Sequence, residues 1–192
     1  MTALVERLRD PARYPHPVER VELIETHISW VLLAGDYAYK VKKPVNFGFL
    51  DYSTPGKRRY YCQQEVKLNR RLCDGVYLGV VPVREDGGHI VVDGGSGRVV
   101  DYAVWMRRVP HERMLDRLIE RGAATPRMAE MVAERLAPFH SEAETSPAIA
   151  RYGDWAIRYN HRENVAQWVP YVGRTLTAEQ HRALTAYAEA FF

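Results

Sequence analysis

Residues 26–45 read THISWVLLAGDYAYKVKKPV, and this stretch decides the fold. Residues 28–33 are mostly apolar, which predicts a buried strand, and residues 37–45 predict a second strand that ends near Pro44. The Ala-Gly-Asp at 34–36 is typical of a tight turn between two antiparallel strands. A further strand is predicted at 21–25, so the stretch forms the second and third strands of an antiparallel meander.

Turn and capping signals place the other elements. Thr54 is a good N-cap with Pro55 in the first helical position, which predicts a helix as far as about residue 73. Strands are predicted at 80–83, 89–92 and 102–109. After Pro110 the apolar period changes from two to 3.6, so only helices are expected. The sequence therefore predicts an α+β fold, with an antiparallel sheet of about five strands and one helix in residues 1–109 and a helical part in residues 110–192.

Composition and charge narrow the class of protein. The 192 residues are 46% hydrophobic and 27% charged with a net charge of +3, which is typical of a globular domain and compatible with a polyanionic ligand. No apolar run approaches the roughly 20 residues of a membrane span, and the N-terminus has no apolar leader. Cys62 and Cys73 favour a reducing compartment, so we expect a cytoplasmic protein without membrane partners.

One lysine and one glutamate stand out as a pair. Lys40 lies on the same strand face as the small residue Ala38, because alternate residues of a strand share a face. Glu65 is predicted on an inward helix stripe with three apolar or aromatic residues: Tyr61, Leu68 and Leu72. A buried carboxylate needs a partner, and Lys40 on the neighbouring sheet would supply one. The alternative is a solvated Lys40 with Glu65 paired to a surface arginine.

The same residues carry a family resemblance. The strand lysine in AYKV (38–41), with the helical Glu65 about 25 residues later, resembles the lysine and glutamate of the protein-kinase-like fold. Together with FLDYS (49–53) and EVKLNRRL (65–72), residues 26–45 resemble a bacterial family of aminoglycoside-phosphotransferase-like proteins. The resemblance covers about residues 20–145. Members of this family often carry a second, P-loop kinase domain, which would be a partner on the same polypeptide.

The resemblance implies a kinase-like N-terminal lobe in residues 1–109 and the first part of a helical lobe in 110–192. Lys40 would bind the α- and β-phosphates of ATP and Glu65 would orient it, with Lys42 on the same face as the rival lysine. The turn at 25–29 would lie over the phosphates and offer the hydroxyls of Thr26 and Ser29. Unlike the protein-kinase turn it has no glycine, and an ordinary hairpin turn is the alternative.

The strand before Pro110 would be the hinge between the lobes. There the resemblance places main-chain groups from Arg107 to Val109 against the adenine edge and Met106 beside the ring, with Ala38 leaving room next to the lysine. The alternative is an ordinary core strand in which Met106 is packed inside.

The family's catalytic carboxylates are not found in this sequence. The nearest match to a His-Gly-Asp loop is YGDW (152–155), which lacks the histidine and a downstream asparagine. No His-Glu-x-x-His, Cys-x-x-Cys or Walker A motif occurs, so we predict no metal ligands here. We expect an ATP-dependent phosphotransferase with an unknown acceptor, whose Mg²⁺ ligands lie outside this chain and which is inactive as this chain alone. The apolar pair Phe191 and Phe192 favours a truncated helical lobe.

Two other functions remain open at this point. The first is a non-catalytic kinase-like module that binds a nucleotide or a protein partner. The second is a nucleic-acid-binding domain, suggested by basic clusters at 40–43, 57–59 and 70–71 with Tyr60 and Tyr61 between them. The small net charge and the position of Glu65 between the clusters make nucleic acid the less favoured partner.

Overall fold

The computed structural model describes residues 3–191, so Phe192 of the terminal pair lies outside the described residues. The fold is α+β, as predicted, with a curled antiparallel sheet followed by helices. The chain divides into two compact units, of which the first ends at Phe139 and the second begins at His140. The last strand ends at Arg107, shortly before the predicted boundary at 109/110, which stays a prediction.

Six strands and six α-helices occur within residues 3–191. The strands are β1 (Val21–Glu25), β2 (Ser29–Ala34), β3 (Tyr37–Lys42), β4 (Tyr77–Asp86), β5 (His89–Val92) and β6 (Arg98–Arg107). The α-helices are α1 (Ala3–Arg7), α2 (Pro55–Asn69), α3 (Leu115–Glu120), α4 (Pro126–Ser141), α5 (Pro147–Trp168) and α6 (Ala178–Phe191). No helix in this part of the chain combines the length and apolar character needed to cross a membrane.

The sheet has the strand order β1-β2-β3-β6-β4-β5, and every pair is antiparallel. The sheet was predicted to have about five strands, and each of its six strands overlaps one of the six segments predicted individually as strands. Both β4 and β6 begin earlier than the sequence pattern indicated, because the two pair along nearly their whole lengths despite register shifts at Tyr77/Gly79 and Val83/Arg84. β6, the last strand in the sequence, therefore lies between β3 and β4 in the sheet.

The two faces of the sheet have different coverings. Tyr39 and Val41 of β3 are buried on one face, in a core that includes Leu32 of β2 and Ala103 of β6. Val5 and Leu8, at the N-terminus, complete this core. The opposite face carries the alternate residues of β3, which include both lysines, and is covered in part by α2.

Helix α2 begins as predicted, because the side chain of Thr54 accepts a hydrogen bond from the Lys57 N–H. Its buried line is Arg58, Cys62 and Val66, which differs from the predicted stripe. Leu68 of that stripe is 51% exposed, so the predicted stripe was wrong. Cys62 and Val66 of α2 pack in a small cluster with Val104 and the partly buried Tyr77, Val80 and Met106, and Glu65 lies at the edge of this buried face.

The helices after β6 are packed less tightly than the sheet. No described residue of α3 to α6 is buried. A capping box precedes α6, in which the Thr177 N–H donates to Gln180 Oε1 at 2.9 Å and the Gln180 N–H donates to Thr177 Oγ1 at 3.1 Å. Helix α5 begins at Pro147, because Ser146 caps it by accepting from the Ile149 N–H.

Candidate functional site

The predicted ion pair between Lys40 and Glu65 is confirmed. Lys40 Nζ donates a hydrogen bond to Glu65 Oε1 at 2.8 Å, which joins β3 to α2. Lys42, the rival residue, also reaches Glu65, and its Nζ donates to Oε2 at 2.7 Å. The carboxylate therefore accepts a hydrogen bond from one lysine on each oxygen, and both candidate lysines, Lys40 and Lys42, contact Glu65.

The two lysines differ in their exposure. The side chain of Lys42 is 3% exposed and that of Lys40 is 28% exposed, with Glu65 at 13%. The Lys42 ammonium also lies 4.8 Å from the centroid of the Tyr52 ring, within cation–π range. Lys42 is thus the inner lysine of the cluster, and Lys40 is the outer one that solvent can reach.

The charges support each other inside this partly buried cluster. Burial on its own would lower the pKa of Lys42, but the hydrogen bond and the charge of Glu65 outweigh it, so the pKa is raised. Burial on its own would raise the pKa of Glu65, but the hydrogen bonds and charges of the two lysines outweigh it, so that pKa is lowered. Lys42 and Glu65 are therefore both charged at neutral pH.

An apolar strip continues from Lys40 along the same face of the sheet. The cross-strand neighbours of Lys40 are Val31 on β2 and Val104 on β6. Ala38 lies next along this face, opposite Leu33 and Met106. Ala38 is buried, and Met106 is partly buried against the small core under α2, as the core-strand alternative had it. The strip leads from the outer lysine towards the end of β6.

The turn between β1 and β2 carries the two hydroxyl groups that were predicted to face the phosphates. Thr26 Oγ1 donates to the Ser29 carbonyl and accepts from the Ser29 N–H, each at 3.0 Å, so it closes the turn. Ser29 is fully buried, and its Oγ has no hydrogen-bond partner among the described residues. A phosphate role for these two hydroxyls stays a prediction. It would require Thr26 Oγ1 to give up its contacts within the turn and the buried Ser29 Oγ to become accessible.

The predicted hinge has one free backbone donor. The Arg107 N–H donates to the Val76 carbonyl and the Arg108 N–H donates to the Asp36 carbonyl, both at 2.8 Å. The Val109 N–H has no such partner within residues 3–191, and Val109 is 53% exposed. The described hinge can therefore present the Val109 N–H to a ligand, whereas the other two N–H groups are already occupied.

A second buried ion pair was missed in the sequence. Arg58 Nε donates to both carboxylate oxygens of Asp101, at 2.9 and 3.1 Å, and Nη1 donates to the Tyr52 carbonyl at 2.9 Å. Both charged side chains are less than one-tenth exposed. The pair holds the first half of α2 against β6. The signal was Asp101 inside the apolar strand pattern, which requires a partner, but Arg58 was assigned to a basic surface cluster.

The basic clusters that suggested nucleic acid are largely engaged within the protein. Their contacts are Lys40 and Lys42 with Glu65, Lys43 with Glu25, Lys57 with Asp51, Arg58 with Asp101, Arg59 with the Tyr102 ring, Arg70 with the carbonyls of Tyr77 and Leu78, and Arg71 with the Phe139 ring. These contacts leave little of the predicted positive surface without an internal partner.

The weak match to a catalytic loop lies in regular helix. Asp154 belongs to α5, and both of its carboxylate oxygens accept from Arg158 Nε at 3.0 Å. Among residues 3–191 there is no group of three His, Cys, Asp or Glu side chains arranged to hold a metal ion. The geometry does not single out Asp154 as a catalytic carboxylate.

Comparison with known proteins gives relatives but no family. No family model matches the chain, and no solved structure matches it. The chain is 30% identical over 181 residues to an uncharacterized protein of Mycobacterium bovis and to uncharacterized proteins of two Mycobacterium tuberculosis strains. Each alignment covers 92% of this chain and 34% of the relative. The chain thus spans about a third of the length of the curated relatives it matches.

Proposed function

We propose that this chain is the nucleotide-binding portion of an ATP-dependent phosphotransferase of the aminoglycoside-phosphotransferase type, with a kinase-like N-terminal lobe. The observation that carries the proposal is the 2.8 Å ion pair between Lys40 on β3 and Glu65 on α2. A fixed ammonium group beside a carboxylate is suited to hold a polyphosphate, because the carboxylate sets the direction of the lysine in advance.

The surroundings of Lys40 fit a nucleotide in two further respects. The strip through Ala38 and Met106 supplies an apolar surface of the kind that an adenine ring contacts. The free Val109 N–H lies beyond the end of β6, on the same chain segment as Met106. Arg107 would contribute only main-chain groups there, because in the strand register its side chain lies on the opposite face from Lys40.

The catalytic step would depend on groups that the described chain does not supply. Magnesium is expected in this chemistry, and the described residues offer no set of ligands that fits it. A proposed full-length enzyme would therefore take its metal ligands and its positioning carboxylate from another part of the protein. The acceptor, localisation in the cytoplasm and a linked P-loop kinase domain are parts of the same proposal.

The test is a binding measurement on the 192-residue chain with ADP and ATP, in the absence of metal. Removing the ammonium in Lys40→Met should weaken binding roughly 10- to 100-fold, since a hydrogen bond to a charged group contributes about 1.5–3 kcal/mol. Lys67→Met is the matched control, because Lys67 is an exposed lysine on α2. Equal affinities for the wild type and Lys40→Met would contradict the proposal.

The alternatives predict different results in the same experiments. A non-catalytic module would bind ADP through Lys40 and would still transfer no phosphate when supplied as a full-length protein. A nucleic-acid-binding domain would bind single-stranded RNA with a steep salt dependence and without competition from ATP. The internal pairing of the basic clusters weighs against that second alternative.

A further inference from the structure

Lys40 is only partly used by its contact with Glu65. One of the three N–H groups of its ammonium donates to Oε1, and Lys40 has no other hydrogen-bond partner within residues 3–191. Its side chain is 28% exposed, so small anions in solvent can reach it. Lys40 can therefore bind a phosphate with its remaining donors while Glu65 continues to orient it.

The contact with Glu65 also weakens the attraction of Lys40 for an anion. The carboxylate lies 2.8 Å from Nζ and has the opposite charge, so an approaching anion is attracted by the lysine and repelled by the glutamate. Because the Glu65 side chain is only 13% exposed, water screens this repulsion poorly. A lysine with a buried carboxylate as its single partner is well oriented, but its attraction for a phosphate is largely cancelled.

Lys42 supplies a second positive charge from the interior. Its ammonium lies 2.7 Å from Oε2 of Glu65, and the raised pKa of Lys42 keeps this group charged at neutral pH. The Lys42 side chain is enclosed beside the Tyr52 ring, so a ligand arriving from solvent does not meet it. The buried pair of Arg58 and Asp101 balances its own charges and leaves Glu65 to the two lysines.

We propose that Lys42 compensates the charge of Glu65, so that Lys40 stays hydrogen-bonded to the carboxylate and still attracts an anionic ligand. Glu65 orients Lys40, and Lys42 offsets the repulsion that this orientation would otherwise introduce. Lys42 touches no ligand and acts through Glu65, so it is a positioning residue. The identification of the anion as the diphosphate of a nucleotide rests on the function proposed above.

The test compares affinities for ADP, without metal, in the wild type, Lys42→Met, the double variant Lys42→Met with Glu65→Gln, and the exposed control Lys67→Met. Lys42→Met should weaken binding roughly 10-fold, because the charge of Glu65 is no longer compensated. The double variant should bind roughly threefold more tightly than Lys42→Met, because it loses the uncompensated charge and keeps an amide oxygen that accepts from Lys40. The control should match the wild type.

A lysine that only supports packing predicts a different order of affinities. Removing a second member of the cluster would then weaken binding further, so a double variant that binds no better than Lys42→Met would overturn the proposal. Equal affinities of the wild type and Lys42→Met would also overturn it. If circular dichroism shows that Lys42→Met is unfolded, Lys42→Gln replaces it in both variants, because glutamine removes the charge and keeps an N–H donor; the same order of affinities supports the proposal, and any other order overturns it.

Inorganic pyrophosphate separates this proposal from the nucleotide-binding function, because it is a polyphosphate without a base. If pyrophosphate binds with the expected order of variants and ADP does not bind, the role of Lys42 is supported and the proposed function fails. If ADP binds the wild type but the order of the variants differs, the role of Lys42 is overturned and the proposed function is not. Binding of neither ligand to the wild type would overturn both.

Discussion

Replacing Glu65 with glutamine should destabilise the first compact unit substantially. The substitution keeps the size of the side chain and one acceptor oxygen, but it removes the carboxylate charge that Lys40 and Lys42 share. The 3% exposed ammonium of Lys42 would then be buried without a counter-charge. Breaking a buried pair in this way costs about 3–5 kcal/mol, and we expect the lower part of that range because the amide oxygen still accepts a hydrogen bond.

The measurement is the free energy of unfolding in guanidinium chloride, followed by tryptophan fluorescence, since Trp30 and Trp105 lie in the sheet. In a thermal scan the same loss should lower Tm by roughly 6–12 °C for a chain of this size. Glu25→Gln is the matched control, because Glu25 pairs with Lys43 at the surface and is 52% exposed. The control should be close to the wild type in stability.

The pH dependence gives the result that would refute this reasoning. The pKa of Glu65 is lowered in the folded state, so its stabilising effect is complete at neutral pH and is lost as the pH falls through that lowered value. The stability difference between the wild type and Glu65→Gln should therefore shrink in acid. A loss below about 1 kcal/mol at pH 7, typical of a surface ion pair, or a difference that does not change with pH, would show that Glu65 is not holding a buried charge.

Three further predictions concern other parts of the first unit and the activity of the chain. Asp101→Asn should lower the free energy of unfolding by about 3–5 kcal/mol, as measured in guanidinium chloride, because Arg58 loses its buried carboxylate partner. Burial raises the pKa of Cys62 to about 12, so an alkylating reagent at pH 8 should label Cys73 much faster than Cys62, as peptide mass spectrometry would show. The chain supplied with Mg-ATP and a panel of aminoglycosides and small alcohols should transfer no phosphate above background; turnover abolished by Lys40→Ala would reveal an overlooked carboxylate, with Asp154 the first to examine.

The central pair was predictable from two local patterns taken together with the family resemblance. The period of two in β3 places Lys40 beside Ala38, and the electrostatic cost of burying Glu65 requires a cation. The same parity places Lys42 on the same face, so sequence could not decide between the two lysines. The two lysines differ in burial, which depends on contacts with α2 and Tyr52 and cannot be deduced from the strand sequence alone.

The errors arose where long-range contacts decide the outcome. The predicted buried stripe of α2 was wrong because the helix packs against Val104 through Cys62 and Val66. Leu68 is more apolar than Cys62, so the sequence pattern alone favoured Leu68 as a buried residue. Arg58 was assigned to the surface because its neighbours in sequence are basic, and its partner Asp101 lies 43 positions away. A contact between residues so far apart in the sequence produces no periodic pattern that sequence analysis can detect.

The strand order has a consequence for how the sheet is made during synthesis. β3 and β4 do not pair with each other, and β6 alone joins them, so the strand that completes the sheet is the last to leave the ribosome. At 5–20 residues per second, the open edge of β3 would wait roughly 3 to 13 seconds between the synthesis of Lys42 and that of Arg107. An unpaired strand edge invites pairing with other chains during this interval. A nascent chain that stalls before Arg98 would keep both β3 and β4 uncovered, and it would be a ready substrate for chaperones or for aggregation.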